Sequence, residues 1–161
     1  MSNKILFVLG LSAWALLSGK PGIAQSTTPI DLRDAQMEIE GNNLTYFKAL
    51  CQKDSVLFNS LYTTDCWIMT PGTFVYCGPD AASEYFVYAS KNRGIRNGKF
   101  ITSNVYGISQ DMIAEVGFYQ LFNAENVPFD DGKYIVLWKR VDRAWKRFRD
   151  SFSSSRNAGF R

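Results

Sequence analysis

The last third of the chain contains EVGFY at residues 115–119, GKYIVLWKR at 132–140 and WKRFRDSF at 145–152. These segments are rich in aromatic and β-branched residues, which favour extended strands. Only a short turn at Asp142 and Arg143 separates the last two segments, so we expect them to pair as an antiparallel hairpin. The C-terminal third therefore predicts a sheet of long antiparallel strands.

Three helices are predicted before these strands. Apolar residues recur at three- and four-residue spacing from Leu32 to Leu50, which predicts a long helix over 29–53. Asp54 and Asp80 are expected to cap two shorter helices. Helices followed by a run of strands are typical of an α+β fold. The shorter helices are predicted over 55–62 and 81–92, and the strands over 66–70, 73–77, 99–108, 112–123, 133–141 and 144–153.

The N-terminus is predicted to be a secretory signal peptide. An uncharged apolar run of 13 residues follows Lys4, and small residues at Gly22 and Ala24 suit a signal peptidase. The run is too short to span a bilayer, which takes about 20 residues. We therefore predict cleavage after Ala24, a secreted or periplasmic protein with no membrane segment, and one domain over 25–161.

The charge balance does not favour a nucleic-acid partner. The formal net charge is +3, and removal of Lys4 and Lys20 with the signal peptide leaves +1. Basic residues do crowd into residues 139–149. This cluster is either a solvated strand face and turn or an anion-binding patch.

The three cysteines leave two alternatives open. If Pro71 and Gly72 form an even-membered hairpin loop, Cys66 faces Cys77 within disulfide range. A three-residue loop or a bulge breaks that register and leaves separate thiols. Cys51 is expected to be a small core residue on the first helix.

The order of these elements resembles the ketosteroid-isomerase-like superfamily, which includes SnoaL-like and nuclear transport factor 2-like proteins. The similarity rests on YTTD at 62–65, on Pro71-Gly72, and on the C-terminal segments quoted above, and it covers residues 31–154. It implies a cone: a curved antiparallel sheet wrapped around three N-terminal helices, with an apolar pocket inside. The C-terminal segments are most similar to a branch of bacterial secreted SnoaL-like proteins.

The chain contains no histidine. Histidine-dependent triads, Cys-His pairs and His-ligated metals are therefore excluded, and we expect neither a metal nor a cofactor. The family resemblance implies a carboxylate base at the position of Thr70, whose hydroxyl cannot fill that role, and a donor tyrosine at Tyr46.

Two other carboxylates are candidate catalytic groups. Strict alternation along 145–152 places Asp150 with Phe148 and Phe152 on the inner face, where it is either a pocket acid or base or a structural hydrogen-bond acceptor. Glu115 shares a face with Gly117, and is either a second pocket carboxylate or exposed on its strand.

Aromatic residues at strand spacing are the candidate pocket walls, although the same pattern is typical of core. The candidate pocket residues are Tyr46, Tyr62, Trp67, Met69, Tyr119, Tyr134, Trp138 and Arg140. Ile135 and Leu137 point to the other face of their strand, so both faces of the sheet are apolar and both are expected to pack. The family resemblance implies a homodimer through the outer face.

Three functions fit these observations. The chain could bind a small hydrophobic molecule and isomerise, cyclise or hydrate it by carboxylate chemistry, or it could bind such a molecule without turnover. It could also be an oligomerisation domain, which the similar fold of the calcium/calmodulin-dependent kinase association domain suggests. Fold resemblance alone does not select among these functions.

Overall fold

A computed structural model of the protein describes residues 31–156. It has three helices packed against one six-stranded sheet, which confirms the α+β prediction. The predicted signal peptide lies outside the described residues. Within residues 31–156, no helix is both long and apolar enough to cross a membrane. The elements are α1 (Leu32–Gln52), α2 (Ser55–Ser60), β1 (Tyr62–Met69), β2 (Tyr76–Cys77), α3 (Ala81–Val87), a π-helical turn (Tyr88–Asn92), β3 (Asn97–Ser109), β4 (Met112–Phe122), β5 (Pro128–Val141) and β6 (Ala144–Ser154).

The helix boundaries follow from their caps. The Asp31 carboxylate accepts from the backbone N–H of Arg33 at 2.9 Å, so α1 begins at Leu32 rather than at residue 29. Asp54 caps α2 as predicted, accepting from the N–H of Leu57 at 2.8 Å. Asp80 occupies the N-cap position of α3, but its side chain makes no capping hydrogen bond.

The sheet order is β2-β1-β6-β5-β4-β3. The long strands β3 to β6 are antiparallel neighbours, as the alternating aromatic segments predict. β1 instead runs parallel to β6, so the sheet is mixed rather than wholly antiparallel. Its concave face carries the core, which α1 and α3 cover.

The β1–β2 hairpin has a register that excludes the facing cysteine pair. Trp67 lies opposite Cys77, and Ile68 lies opposite Tyr76, one residue away from the register that a disulfide needs. Cys66 is buried and Cys77 is exposed, and all three cysteines are free thiols. The separate-thiol alternative is therefore the one that the structure adopts. Cys51 is exposed near the end of α1, so its predicted core position was wrong.

A β-bulge at Phe148 changes which side chains of β6 face inward. Leu137 pairs with Arg149, whereas Trp138 pairs with Arg147, so Phe148 has no partner on β5. The extra residue brings Arg147 to the same concave face as Asp150. Strict alternation placed Arg147 on the opposite face, and that prediction was wrong.

Among the strands of residues 31–156, β3 is the last in the sheet order. Two of its asparagines bond to the backbone of the strand itself. The Asn97 side chain accepts from the N–H of Gly98, and the Asn104 side chain accepts from the N–H of Val105, both at 2.8 Å.

Three exposed apolar residues on the convex face of the sheet form a group that we call the convex patch: Ile101, Phe118 and Ile135. Each is close to half exposed, at 50%, 51% and 46%. Ile101 pairs with Phe118, and Ile135 pairs with Val116 two residues along β4, so the patch is continuous over three strands.

Candidate functional site

A fully buried carboxylate lies at the centre of the concave face. Glu115 Oε1 accepts from Asn43 Nδ2 at 2.8 Å, from Thr102 Oγ1 at 2.7 Å and from the Tyr134 hydroxyl at 2.7 Å. Its Oε2 accepts from Trp138 Nε1 at 2.9 Å. These donors fit the ionised carboxylate, which is only an acceptor. The exposed-strand alternative for Glu115 was wrong.

Arg147 is fully buried beside this carboxylate. Its guanidinium donates to Asn43 Oδ1 and, at 3.1 Å, to Asp150 Oδ2. Asn43 therefore bridges Glu115 and Arg147, which joins two carboxylates and one cation into a single network. Three ring faces lie about the guanidinium, those of Phe100 and Trp138 at 4.8 Å and that of Tyr46 at 5.0 Å from its carbon.

Asp150 is also fully buried, as its predicted inward position requires. Its Oδ2 accepts from the Tyr62 hydroxyl at 2.8 Å as well as from Arg147, whereas its Oδ1 has no protein partner. Burial raises the pKa of Asp150, although the positive charge of Arg147 and the Tyr62 hydrogen bond oppose the rise. Asp150 is thus less completely hydrogen-bonded than Glu115.

The interior of the cone next to this network is filled by aromatic side chains. The remaining space, which we call the chamber, has a volume of only about 20 Å³, on the order of one water molecule. The Tyr46 and Tyr85 hydroxyls lie 3.3 Å apart there. Arg93 and Asp130 also line the chamber and form an ion pair at 2.7 Å.

Three tyrosines that line the chamber, Tyr46, Tyr85 and Tyr119, are neutral at ordinary pH. Burial raises the pKa of Tyr119 to about 12, and it also raises the pKa values of Tyr46 and Tyr85 well above their usual range. These hydroxyls can donate or accept hydrogen bonds, but none is available as a tyrosinate base.

A larger cavity lies outside the cone, between α1 and β3, and we call it the α1–β3 groove. Its volume is about 560 Å³. Asn43 and Thr102 line it and also bind Glu115, so the groove lies one layer of side chains from the buried network. Its other lining residues are Glu40, Leu44, Phe47, Lys48, Cys51, Gln52, Asn97, Gly98, Lys99 and Phe100.

Gly98 allows the helix to approach β3 at the groove. A Cβ atom at this position would overlap the Phe47 ring and would lie 2.8 Å from the Gln120 carbonyl oxygen. The missing side chain therefore lets Phe47 pack directly on the strand.

The eight predicted pocket residues separate into three groups. Tyr62, Tyr134 and Trp138 are buried donors to the two carboxylates, and Tyr46 and Tyr119 line the chamber. The other three lie apart from the chamber and the groove. Trp67 is half exposed with the Arg149 guanidinium 5.3 Å from its ring, Met69 is half-buried at the end of β1, and Arg140 is exposed over the Trp145 ring.

Sequence reasoning missed Asn43, Thr102 and Arg147. Asn43 was detectable, because it falls four residues after Ile39 on the buried stripe of α1, where a polar residue needs partners. The inward position of Arg147 depends on the bulge, which has no sequence signal. The hydrogen bond from Thr102 to Glu115 depends on how α1 packs against β3.

No family model matches the chain, and no curated protein is significantly similar to it. Solved structures are similar in fold. A protein of unknown function with a cystatin-like fold from Nostoc punctiforme has a TM-score of 0.65 at 13% identity, covering 79% of this chain and 94% of its own. A ketosteroid isomerase-like protein from Erwinia carotovora has a TM-score of 0.60 at 20% identity, with coverages of 75% and 96%.

A third similar structure carries the superfamily name. It is a nuclear transport factor 2-like superfamily protein from Salmonella enterica, with a TM-score of 0.60 at 11% identity and coverages of 80% and 96%. The chain has the nuclear transport factor 2-like fold. The predicted cone of sheet and helices is thereby confirmed, while the resemblance to the SnoaL-like branch stays a prediction.

The described part of the chain, which has the nuclear transport factor 2-like fold, contains no cluster of side chains suited to a metal ion. Across residues 31–156, no three side chains of histidine, cysteine, aspartate or glutamate are grouped so that they could hold an ion. The charged groups of the polar network are instead bonded to one another: Arg147 donates to Asp150 directly and is joined to Glu115 through Asn43.

Proposed function

We propose that this protein binds a small, largely apolar molecule in the α1–β3 groove and does not transform it. The observation that carries the proposal is the groove itself. Its volume of about 560 Å³ falls within the roughly 300–1,000 Å³ typical of small-molecule sites. Leu44, Phe47 and Phe100 give it apolar walls, and Asn43 and Thr102 add polar groups.

Binding is favoured over turnover by the state of the two candidate catalytic carboxylates. A general base must come within about 2.6–3.2 Å of the group it deprotonates, or reach it through one water. Glu115 and Asp150 are fully buried, and four side chains already occupy the oxygens of Glu115. We therefore assign both carboxylates to holding the concave face together.

The cysteines provide a test with a control in the same chain. Cys51 lines the groove and Cys77 does not, and both thiols are exposed. Burial raises the pKa of Cys66 to about 11, so that thiol should react slowly at neutral pH. Alkylation by neutral iodoacetamide, followed by peptide mass spectrometry, gives the three rates separately.

A ligand in the groove should slow alkylation of Cys51 severalfold and leave the rate at Cys77 unchanged. Phenylbutanol and phenylbutyrate are suitable first probes, because each has an aromatic body that suits walls made by Phe47 and Phe100. Equal slowing at both thiols would indicate a nonspecific effect. No slowing by any compound in a library of apolar alcohols, acids and lactones would contradict the proposal.

A homodimer through the convex face is a second proposal, and it rests on a different observation. The three exposed residues of the convex patch are contiguous over three neighbouring strands. Contiguous apolar surface of this kind commonly marks a protein interface. A second copy of this chain would present the same apolar surface and cover it symmetrically.

Light scattering on the purified protein tests the dimer. We expect twice the chain mass at micromolar concentration, and the mass of one chain for the variant Phe118→Lys. Glu125→Lys, in the exposed loop before β5, is a control that should stay dimeric. A wild-type protein with the mass of one chain would refute the dimer without affecting the groove.

We also propose that the protein acts outside the cytoplasm, on the basis of the apolar run and small residues in 1–24. Intact-mass measurement of secreted protein should give a chain beginning at Gln25. Retention of Met1 in secreted material would overturn this assignment.

A further inference from the structure

The charged residues at the rim of the α1–β3 groove are unevenly distributed, and this bears on which ligand the proposed site would take. Lys48 and Lys99 line one end together with Gln52 and Asn97, while Glu40 lines the groove eight residues earlier on α1. At a rise of 1.5 Å per residue, Glu40 and Lys48 are about 12 Å apart along the helix. The groove therefore has a cationic end and an anionic end.

Lys48 on α1 and Lys99 on β3 both line the groove, next to the contact between Phe47 and Gly98 in sequence. Both lysines are exposed residues. Among residues 31–156, no carboxylate lies within 4.0 Å of either ammonium group, whereas Lys139 has Asp65 at 3.7 Å.

The polar side chains deeper in the groove are already engaged. Asn43 donates to Glu115 and accepts from Arg147, and the Thr102 hydroxyl donates to Glu115. The Thr102 hydroxyl hydrogen and one of the two Asn43 amide hydrogens are therefore taken by Glu115. The ammonium groups of Lys48 and Lys99 are the cationic donors at the groove, with three N–H bonds each.

We propose that the groove selects an amphiphilic carboxylic acid, whose carboxylate lies between Lys48 and Lys99 and whose apolar body lies on Leu44, Phe47 and Phe100. The inference rests on the proposed binding function of the same groove and adds the chemical class of its ligand. The placement is directional, because the carboxylate is held at the end of the groove away from Glu40.

Three probes of matched shape test this class: phenylbutyrate, phenylbutanol and phenylbutylamine. Titration followed by the backbone amide signals of Phe47 and Gly98 gives the three dissociation constants. Two exposed cations add only modestly to the binding free energy of a carboxylate. We therefore expect the acid to bind about three- to tenfold more tightly than the alcohol at low salt. The amine should bind most weakly, and added salt should reduce the differences in affinity among the three probes.

The variant Lys48→Gln/Lys99→Gln should bring the acid to the affinity of the alcohol and leave the alcohol unchanged. Lys91→Gln, at an exposed lysine of the π-helical turn, is the matched control and should keep the preference for the acid. Unchanged unfolding midpoints would show that the substitutions leave the fold intact.

The possible results separate the ligand class from the binding function. Equal binding of acid and alcohol, or tighter binding of the amine, would overturn the carboxylate inference and leave the groove as a ligand site. A preference for the acid that survives in the double lysine variant would overturn the assigned residues. Binding of none of the three probes would overturn both the class and the groove function for ligands of this shape.

Discussion

The chamber inside the cone and the groove on its flank share a wall but differ greatly in free volume. Phe100 lines both, with Tyr46 and Phe152 beside its ring among the chamber residues and Phe47 beside it in the groove. The chamber retains about 20 Å³ and the groove about 560 Å³. An enclosing fold can thus be filled by its own aromatic side chains, and the accessible site then lies between two of its elements.

The largest effect should come from removing the cation of the filled interior. In Arg147→Met, Asp150 loses its charge partner and Asn43 loses its donor, while both stay buried. We expect a loss of about 3–5 kcal/mol in the free energy of unfolding, measured by urea denaturation.

Arg149→Met is the matched control for this substitution, because Arg149 lies on the same strand but is only half-buried. It should cost less than about 1 kcal/mol. If the two substitutions lower the free energy of unfolding equally, the buried network does not stabilise the interior as described.

A second substitution should break the separation between the two cavities. Phe100→Ala removes the shared wall, so we expect a loss of about 2–4 kcal/mol in unfolding free energy because a cavity is left behind. The variant should also bind bulkier apolar ligands than the wild type, as measured by amide-signal titration.

Phe74→Ala, at a ring that is 68% exposed, is the comparison for the Phe100 variant and should change neither stability nor ligand size. If Phe100→Ala is destabilised but binds no larger ligand, the Phe100 ring is not the wall that separates the chamber from the groove.

The charge of Glu115 should have a smaller effect, because its replacement can keep its shape. Glu115→Gln places an amide among four side-chain donors, so at least one donor loses its acceptor. We expect a cost of about 1–3 kcal/mol in unfolding free energy. Glu84→Gln on α3, an exposed position, should be nearly neutral. Equal stabilities of the two variants would argue against the hydrogen-bond network.

The smallest effect concerns pH and tests the effect of burial on Asp150. The pKa of Asp150 is raised in the folded protein above its ordinary value of 3.8. The folded state therefore holds this proton more tightly than the unfolded state. The resulting stability is fully present below pH 3.8 and is lost as the pH rises through the folded-state pKa.

Comparison with Asp150→Asn isolates this contribution, because asparagine does not titrate. As the pH is raised from 4 to 7, the unfolding free energy of the wild type should fall relative to that of the variant. Denaturation at a series of pH values measures the difference. If the unfolding free energy of the wild type instead rises relative to that of the variant, Arg147 and Tyr62 lower the pKa of Asp150 by more than burial raises it.

The sequence predicted the elements well, because their signals are local. The stripe of apolar residues on α1, the cap at Asp54 and the alternation along β4 and β5 are each set by neighbouring residues. Glu115 was recognised as a candidate because it shares a face with Gly117 and Tyr119. Its buried state depends on donors from α1, β3 and β5, which are distant in sequence.

The parts that sequence reasoning missed depend on register and on tertiary contact. A single unpaired residue at Phe148 moved Arg147 inward, and an odd-membered loop shifted Cys77 away from Cys66. Neither irregularity has a distinctive residue pattern. The groove arises only where α1 crosses β3 at Gly98, so no local pattern could indicate its volume.

The two asparagines on β3 have a consequence for how this protein behaves at high concentration. An open sheet edge invites a strand from another molecule to add to it through backbone hydrogen bonds, which is a common start of aggregation. At Gly98 and Val105 the backbone N–H is already taken by the side chain of the preceding asparagine. A thirteen-residue edge strand is thus interrupted as a template at its second and ninth residues, which should help this chain remain dispersed.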